Sequence, residues 1–299
     1  MQIKTNKLTH VFEKGGVNEF KALDSVDVKI DQGEFITIIG RTGSGKTTFI
    51  EHLNALLKPV SGKIEYISSQ LVNELKEAKV KRKSEDLAFE IIGKKKHRKI
   101  KGLKLLRKHV GVVFQFAEYQ LFEETIQKDI IFGPVSMGTS KEEAKKLAEK
   151  YIVEVGLDKS YLEKSPFSLS GGQKRRVALA GILAMEPEFL VFDEPTAGLD
   201  PQGEIDMYEI FTKLHKDGKT IIIVTHNLDH ALEYSERTIL FKDGKVKKDG
   251  KTIDILYNRK LLVDNELEVP KLVNLVEILN SKGKKIPKIK TIDELVKSI

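Results

Sequence analysis

The stretch Gly40-Arg41-Thr42-Gly43-Ser44-Gly45-Lys46-Thr47 constrains the fold of this chain more than any other. Before it runs Glu34-Phe35-Ile36-Thr37-Ile38-Ile39, whose β-branched, mostly apolar character predicts a strand buried on both faces. After it, Ile50, Leu53 and Leu57 keep the spacing of a helix interior. A glycine-rich turn between such a strand and a helix can aim its backbone N–H groups inward, and the helix N-terminus adds positive potential. The pattern G-x-x-x-x-G-K-[ST] in that setting predicts a loop that cradles phosphates. Lys46 would reach the β- and γ-phosphates, and the Thr47 hydroxyl would ligate Mg²⁺. Residues Gly40, Arg41, Thr42, Gly43, Ser44, Gly45, Lys46, Thr47 and Thr48 are therefore the expected nucleotide-binding residues.

The rest of the chain reads as an α/β protein. Residues 1–33 form short extended segments, in which Val26, Val28 and Ile30 alternate with Asp27 and Lys29 as in a half-buried strand. Pro59–Gly62 predicts a turn and Lys63–Ile67 an alternating strand. Val110–Phe114, Phe189–Phe192 and Thr220–Val224 are further short strands, separated by helical periodicity, which predicts a parallel sheet with crossover helices. Thr238–Val246 reads as a hairpin around Asp243-Gly244. The last thirty residues differ: Leu272, Leu275, Val276 and Leu279 predict an amphipathic helix begun by Pro270. Thr291-Ile292-Asp293-Glu294 then looks like a capping box opening a second helix. Residues 1–250 are expected to form one domain and 251–299 a helical appendage, either a lid on the same core or a dimerisation element.

Two further motifs carry chemistry. Phe189–Phe192 ends in Asp193-Glu194; the first carboxylate suits a Mg²⁺ ion, and the second can orient or deprotonate an attacking water. Leu169-Ser170-Gly171-Gly172-Gln173 precedes a helix rich in alanine and leucine, another exposed N-terminus suited to an anion. With Gln115 after a strand, Asp193-Glu194-Pro195, Ala197-Gly198-Leu199-Asp200 and His226 after a strand, these elements stand in an order that resembles the ATP-binding-cassette family over about residues 3–250. The resemblance implies a phosphate-loop NTPase core with an N-terminal antiparallel β subdomain and a helical subdomain. It also implies that two such domains close head to tail around two ATP molecules. Ser170 and Gly172, with Gly171 and Gln173, would cap the γ-phosphate held by Lys46 of the other subunit. Gln115 would join Thr47 and Asp193 around Mg²⁺, Glu194 would be the general base, and His226 would hold γ-phosphate and water in line. Asp200 would communicate across the dimer. Phe12 is the candidate to stack on adenine and Phe20 the second choice, with a core role open for either.

The segment from Phe114 to Thr125, continuing to Asp129–Pro134, together with Ser170–Gly181, is similar to the energy-coupling-factor group of transporter ATPases, and to the second ATPase paralogue in particular. That implies a heterodimer with a second ATPase rather than a homodimer. It also implies a transmembrane coupling subunit docked near Gln115–Gly133, a membrane subunit binding a vitamin or transition metal, and a peripheral place on the cytoplasmic face of the cell membrane. Ala117 stands where the group usually has proline.

Composition bears on the rival reading, a nucleic-acid-associated cassette ATPase. The chain has 51 basic and 44 acidic residues, for a net charge of +7. Fourteen of the basic residues and four of the acidic ones lie between Lys76 and Lys108, so the remainder is slightly acidic. This stretch reads as a lysine-rich insertion at about 68–104, irregular and partly helical. It lacks the interleaved aromatics of a base-stacking surface, so no nucleic-acid partner is expected. A solvated face and a site near anionic lipid headgroups both fit it. The absence of cysteine excludes disulfides and thiolate metal sites.

Overall fold

The computed structural model describes residues 1–80, 87–93 and 100–299. Two sheets sandwich the main core. Strands β1 (Gln2–Phe12), β2 (Phe20–Ile30), β4 (Ser61–Ile67) and β5 (Leu87–Ile92) form an antiparallel sheet in the order β2-β1-β4-β5. Strands β3 (Phe35–Ile39), β6 (Val110–Val113), β7 (Phe189–Asp193), β8 (Thr220–Val224), β9 (Arg237–Lys242) and β10 (Lys245–Lys251) form the second, in the order β10-β9-β3-β8-β7-β6. All neighbours in the second sheet are parallel except the β9–β10 hairpin.

The apolar runs behave as expected of strands buried on both faces. Phe189 and Val191 pack toward the antiparallel sheet, while Leu190 and Phe192 pack toward helices on the opposite side. Ile222 and Ile223 divide in the same way. Helix α1 (Lys46–Leu53) inserts Phe49, Ile50 and Leu53 between the sheets. It stops at Leu53, so Leu57, expected inside it, lies in the following loop; Asn54 closes the helix and Ala55 takes a left-handed φ of 56°.

The helices α4 (Ile126–Met137), α5 (Lys141–Glu154), α6 (Gly171–Leu183) and α7 (Pro201–Lys216) cover the outer face of the parallel sheet. On the same outer face, over β3 and β9, the helix α8 (Leu228–Tyr234) packs with the tail helices α9 (Thr252–Leu256), α10 (Arg259–Asp264) and α11 (Lys271–Ser281). A last helix, α12 (Ile292–Ser298), closes a small separate cluster with α11.

The charged stretch is more regular than its composition suggests. Its described residues contain α2 (Ser69–Glu77), strand β5 and α3 (Leu103–His109). Leu71, Val72, Leu75, Phe89 and Ile91 join the main core, and β5 pairs with β4 along Lys63–Ile67. The reading of an irregular insertion is thus corrected: lysines flank a helix and an edge strand, and the apolar residues between them are too sparse to stand out. The lysine runs at 81–83 and 94–96 lie outside the described residues.

The tail stripe is also shifted. Val273 and Val276 are buried, whereas Leu275 is 43% exposed. Thr291 caps α12 by accepting the Glu294 N–H, but the Glu294 carboxylate accepts from Lys290 N–H, so the expected reciprocal box is only half formed. Among the described residues, no helix is long and apolar enough to cross a membrane.

Candidate functional site

The carboxyl ends of β3, β8 and β7 lie side by side, and the loops that leave them build a cleft of about 520 Å³. This is where open α/β sheets place ligands. The cleft is lined by Thr42, Gly43, Gly45, Lys46, Thr47 and Thr48 from the first loop, Gln115, Asp193 and Glu194, and His226. Residues widely separated in sequence are therefore brought together as expected.

The loop needs its glycines for space and for backbone shape. Gly40 has φ +147°, and a Cβ there would lie 2.3 Å from the Phe241 carbonyl oxygen. Gly45, at φ +101°, would place one 2.5 Å from the Ala22 carbonyl oxygen. Within this turn Lys46 is buried, and its ammonium donates to the carbonyls of Gly40 at 2.6 Å and Arg41 at 2.9 Å. Burial lowers its pKa, and the charges of Glu194 and Asp193 act against that shift.

Thr47 Oγ1 donates to Asp193 Oδ2 at 2.9 Å, joining the start of α1 to the end of β7. Burial raises the Asp193 pKa, partly offset by Thr47 and Lys46. Glu194 sits at a left-handed φ of 48° with its backbone N–H on Val224 O at 2.9 Å, which turns the carboxyl into the cleft. Burial pushes its pKa up to about 7. His226 Nε2 lies 3.2 Å from Glu194 Oε1, but without hydrogen-bond alignment, so that buried oxygen keeps no hydrogen-bond partner. The imidazole is thus adjacent to the carboxyl rather than bonded to it, while the His226 backbone N–H donates to Glu194 Oε2 at 3.4 Å. The His226 pKa is lowered, by burial first and then by Lys46, which favours a neutral ring. A carboxylate poised near neutrality beside a neutral imidazole suits proton abstraction from water.

The two aromatics offered for adenine stacking stand differently toward the cleft. Phe20 lines the cleft, whereas Phe12 does not; it pairs with Phe20 in register across the hairpin and packs edge-on against His10. Both aromatics are exposed and, as direct cross-strand partners, share one face of the sheet; Phe20 reaches the cleft because it stands on β2, the strand that also brings Ala22 to it. The spacing in the sequence carries no such signal.

The Ser170–Gln173 motif forms a second, distinct hollow of about 720 Å³ with Gly198, Leu199 and Asp200. Ser170 caps α6 with a full capping box: its Oγ accepts the Gln173 N–H at 3.4 Å and its N–H donates to Gln173 Oε1 at 3.1 Å. Asp200 caps α7 through the Gly203 N–H at 2.7 Å. Neither motif shares the Lys46 cleft within one chain; the two hollows are lined by separate sets of residues.

One residue that sequence reasoning passed over is central. Arg175 is buried, with its guanidinium on both Glu118 oxygens, at 2.7 and 3.0 Å, and on the carbonyls of Pro195 and Ala197, both at 2.9 Å. In sequence it is one of three consecutive basic residues on a helix, and nothing distinguishes the buried one.

Comparison with known proteins agrees with this geometry. The ABC transporter family model matches residues 23–197. The energy-coupling factor transporter ATP-binding protein EcfA2 of Mycoplasma mobile is 56% identical over 100% of this chain and 96% of its own length. Its counterpart in Listeria innocua is 46% identical over 94% of this chain and 90% of its own length. Among solved structures, CbiO1 from Clostridium perfringens, part of the ABC transporter complex CbiONQ, matches with a TM-score of 0.69 and 30% identity, covering 92% of this chain and 98% of that one. A dimeric ATP-binding cassette in a post-hydrolysis state, bound to ADP and Pi, matches with a TM-score of 0.67 and 28% identity over 84% of this chain and 98% of that one. The fold, the cleft built around Lys46 and these relatives converge: this chain belongs to the ATP-binding-cassette family of ATP-hydrolysing transporter subunits, in its energy-coupling-factor group.

Proposed function

We propose that this chain works as one half of an ATPase pair on the cytoplasmic face of a membrane, where ATP hydrolysis drives uptake of a vitamin or transition metal through membrane subunits. The observation that carries the reading is the division of labour just described. Lys46, Thr47, Asp193, Glu194 and His226 converge in one cleft, while Ser170–Gln173 faces a separate hollow. Head-to-tail pairing would bring Ser170 and Gly172 of one subunit over the γ-phosphate bound by Lys46 of the other.

The donor set suits Mg²⁺, which prefers oxygen ligands, takes few from the protein and shares the nucleotide phosphates. Thr47 Oγ1 and Asp193 Oδ2 already meet at 2.9 Å, and the Gln115 side chain lines the same cleft. These three residues would hold the ion, which would neutralise charge on the phosphates. Glu194 would take the proton of the attacking water, and His226 would hold that water in line.

Partner contacts are proposed on surface chemistry. The segment after Gln115 exposes Tyr119 at 83%, Phe122 at 58% and, on α4, Phe132 at 54%. Phe122 and Phe132 flank a groove of about 300 Å³ together with Val113, Ala117 and Leu121. A rimmed aromatic groove of this kind fits a helix presented by another subunit. We place the transmembrane coupling subunit there, and a second, paralogous ATPase across the cleft. Capture in mild detergent tests the assembly: a second cassette ATPase and small membrane proteins should co-purify with the tagged chain. Recovery of nucleic acid alone would contradict the reading.

A further inference from the structure

The segment proposed to receive the membrane subunit and the loop that carries the general base have one side chain in common. Arg175 lies early in α6, 4% exposed, and all its strong hydrogen bonds go to these two places. On one side it grips Glu118, in the short 3-10 helix Ala117–Gln120 that follows Gln115 and bears the exposed Tyr119. On the other its Nη1 donates to Pro195 O and Ala197 O, the carbonyls that immediately follow Glu194. The Ala197 N–H in turn donates to Glu194 O at 3.2 Å, closing the turn in which Glu194 holds its left-handed backbone. From Ala197 the chain runs directly to Asp200, the cap of α7.

Several physical features make this a mechanical tie rather than a passive core contact. The guanidinium is planar and permanently charged, so two hydrogen bonds to one carboxylate fix its orientation, and the remaining N–H groups are aimed as a consequence. The pair is buried, with the Glu118 side chain only 13% exposed, so water does not readily replace either partner. Burial acts to raise the Glu118 pKa, yet Arg175 leaves it below the ordinary carboxylate value. A displacement of the 3-10 helix must therefore either drag the guanidinium off the two carbonyls or carry the loop with it.

We propose that Arg175 is a positioning residue through which the membrane subunit governs ATP hydrolysis: Glu118 reports the docking segment, and the carbonyl bonds set the loop that carries Glu194. The inference rests on the docking reading given above, which assigns the Gln115–Gly133 segment to the membrane subunit.

The test compares steady-state ATP hydrolysis by the captured membrane assembly with that of the ATPase pair released from it, for the parent and for three variants. In Arg175→Lys, which cannot span both partners, kcat should fall about tenfold while KM for ATP stays within about twofold. Glu118→Gln keeps the shape but weakens the grip. The ratio between assembly and released pair should then collapse toward one. The double variant Arg175→Met, Glu118→Leu replaces the pair by apolar groups that need no partner, so a folding loss cannot mask the result. It should bind ATP as the parent does, yet lose both kcat and the ratio. If the parent shows a ratio different from one and all three variants keep it, with only the melting temperature changed, the proposal is overturned. If no membrane protein is captured with the parent, the docking reading fails, and this inference with it.

Discussion

The two half-sites of this chain are built on opposite principles. Around Lys46 the charges are withdrawn from water and tied across elements: the buried ammonium is held on loop carbonyls, Thr47 is tied to the buried Asp193, and the Glu194 carboxyl sits largely out of water. Around Ser170 the residues are exposed or half-exposed: Ser170 and Gln173 close a capping box that any helix could carry, and Gln173 Nε2 donates to the Tyr161 hydroxyl at 3.5 Å. The first arrangement can bind and polarise a phosphate within one chain. The second has an N-terminus and two glycines to offer, while Arg176, which lines it, is already paired with Asp206. Under the proposed pairing the contrast separates binding from hydrolysis: one chain would suffice for the first, and two would be needed for the second.

The sharpest way to break the comparison is at its buried half. Lys46→Ala removes the only buried cation in the cleft, and should reduce ATP hydrolysis by roughly 10²–10³-fold together with ATP affinity. Phosphate release and nucleotide-binding titrations measured side by side decide it. Gly172→Ala strikes the exposed half. Within the free chain an added Cβ has room, meeting only Leu199 Cδ2 at an ordinary 3.7 Å. Nucleotide binding by the isolated chain should stay within about twofold, while hydrolysis by the assembled pair falls about tenfold, as the methyl group meets the partner's nucleotide. Equal loss in both assays would dissolve the distinction between the half-sites. The smallest effect is the pH dependence. With the Glu194 pKa pushed up to about 7 by burial, acid protonates the base, so kcat/KM should fall roughly fivefold from pH 7 to pH 6. Glu194→Gln should abolish that limb of the profile.

The same contrast governs what could be read from sequence. The strands at Phe35–Ile39, Phe189–Asp193 and Thr220–Val224 are legible because burial on both faces forces a continuous β-branched run. The phosphate loop is legible because its glycines answer a local steric demand, as at Gly40 and Gly45. Features set by tertiary register are not. Phe20 rather than Phe12 lines the cleft because β2, not β1, runs beside the phosphate loop. The strand Leu87–Ile92 hides in a lysine-rich context because its outer face is solvated and its inner face contributes few residues to the core. Arg175 is hidden because burial of one charge in a row of three depends on Glu118, 57 residues away in the chain. The short tail helices α9 and α10 were passed over for a related reason: at five and six residues, each carries too little periodicity of its own to register as a helix.

The central claim is that Glu194 is the base in a site completed by a second chain. Its most direct test is Glu194→Gln in the assembled ATPase pair, with ATP hydrolysis and ATP-dependent association measured on the same sample. The variant should bind ATP, remain associated in its presence and release phosphate at most at a few per cent of the parent rate. Hydrolysis at the parent rate by that variant would contradict the account.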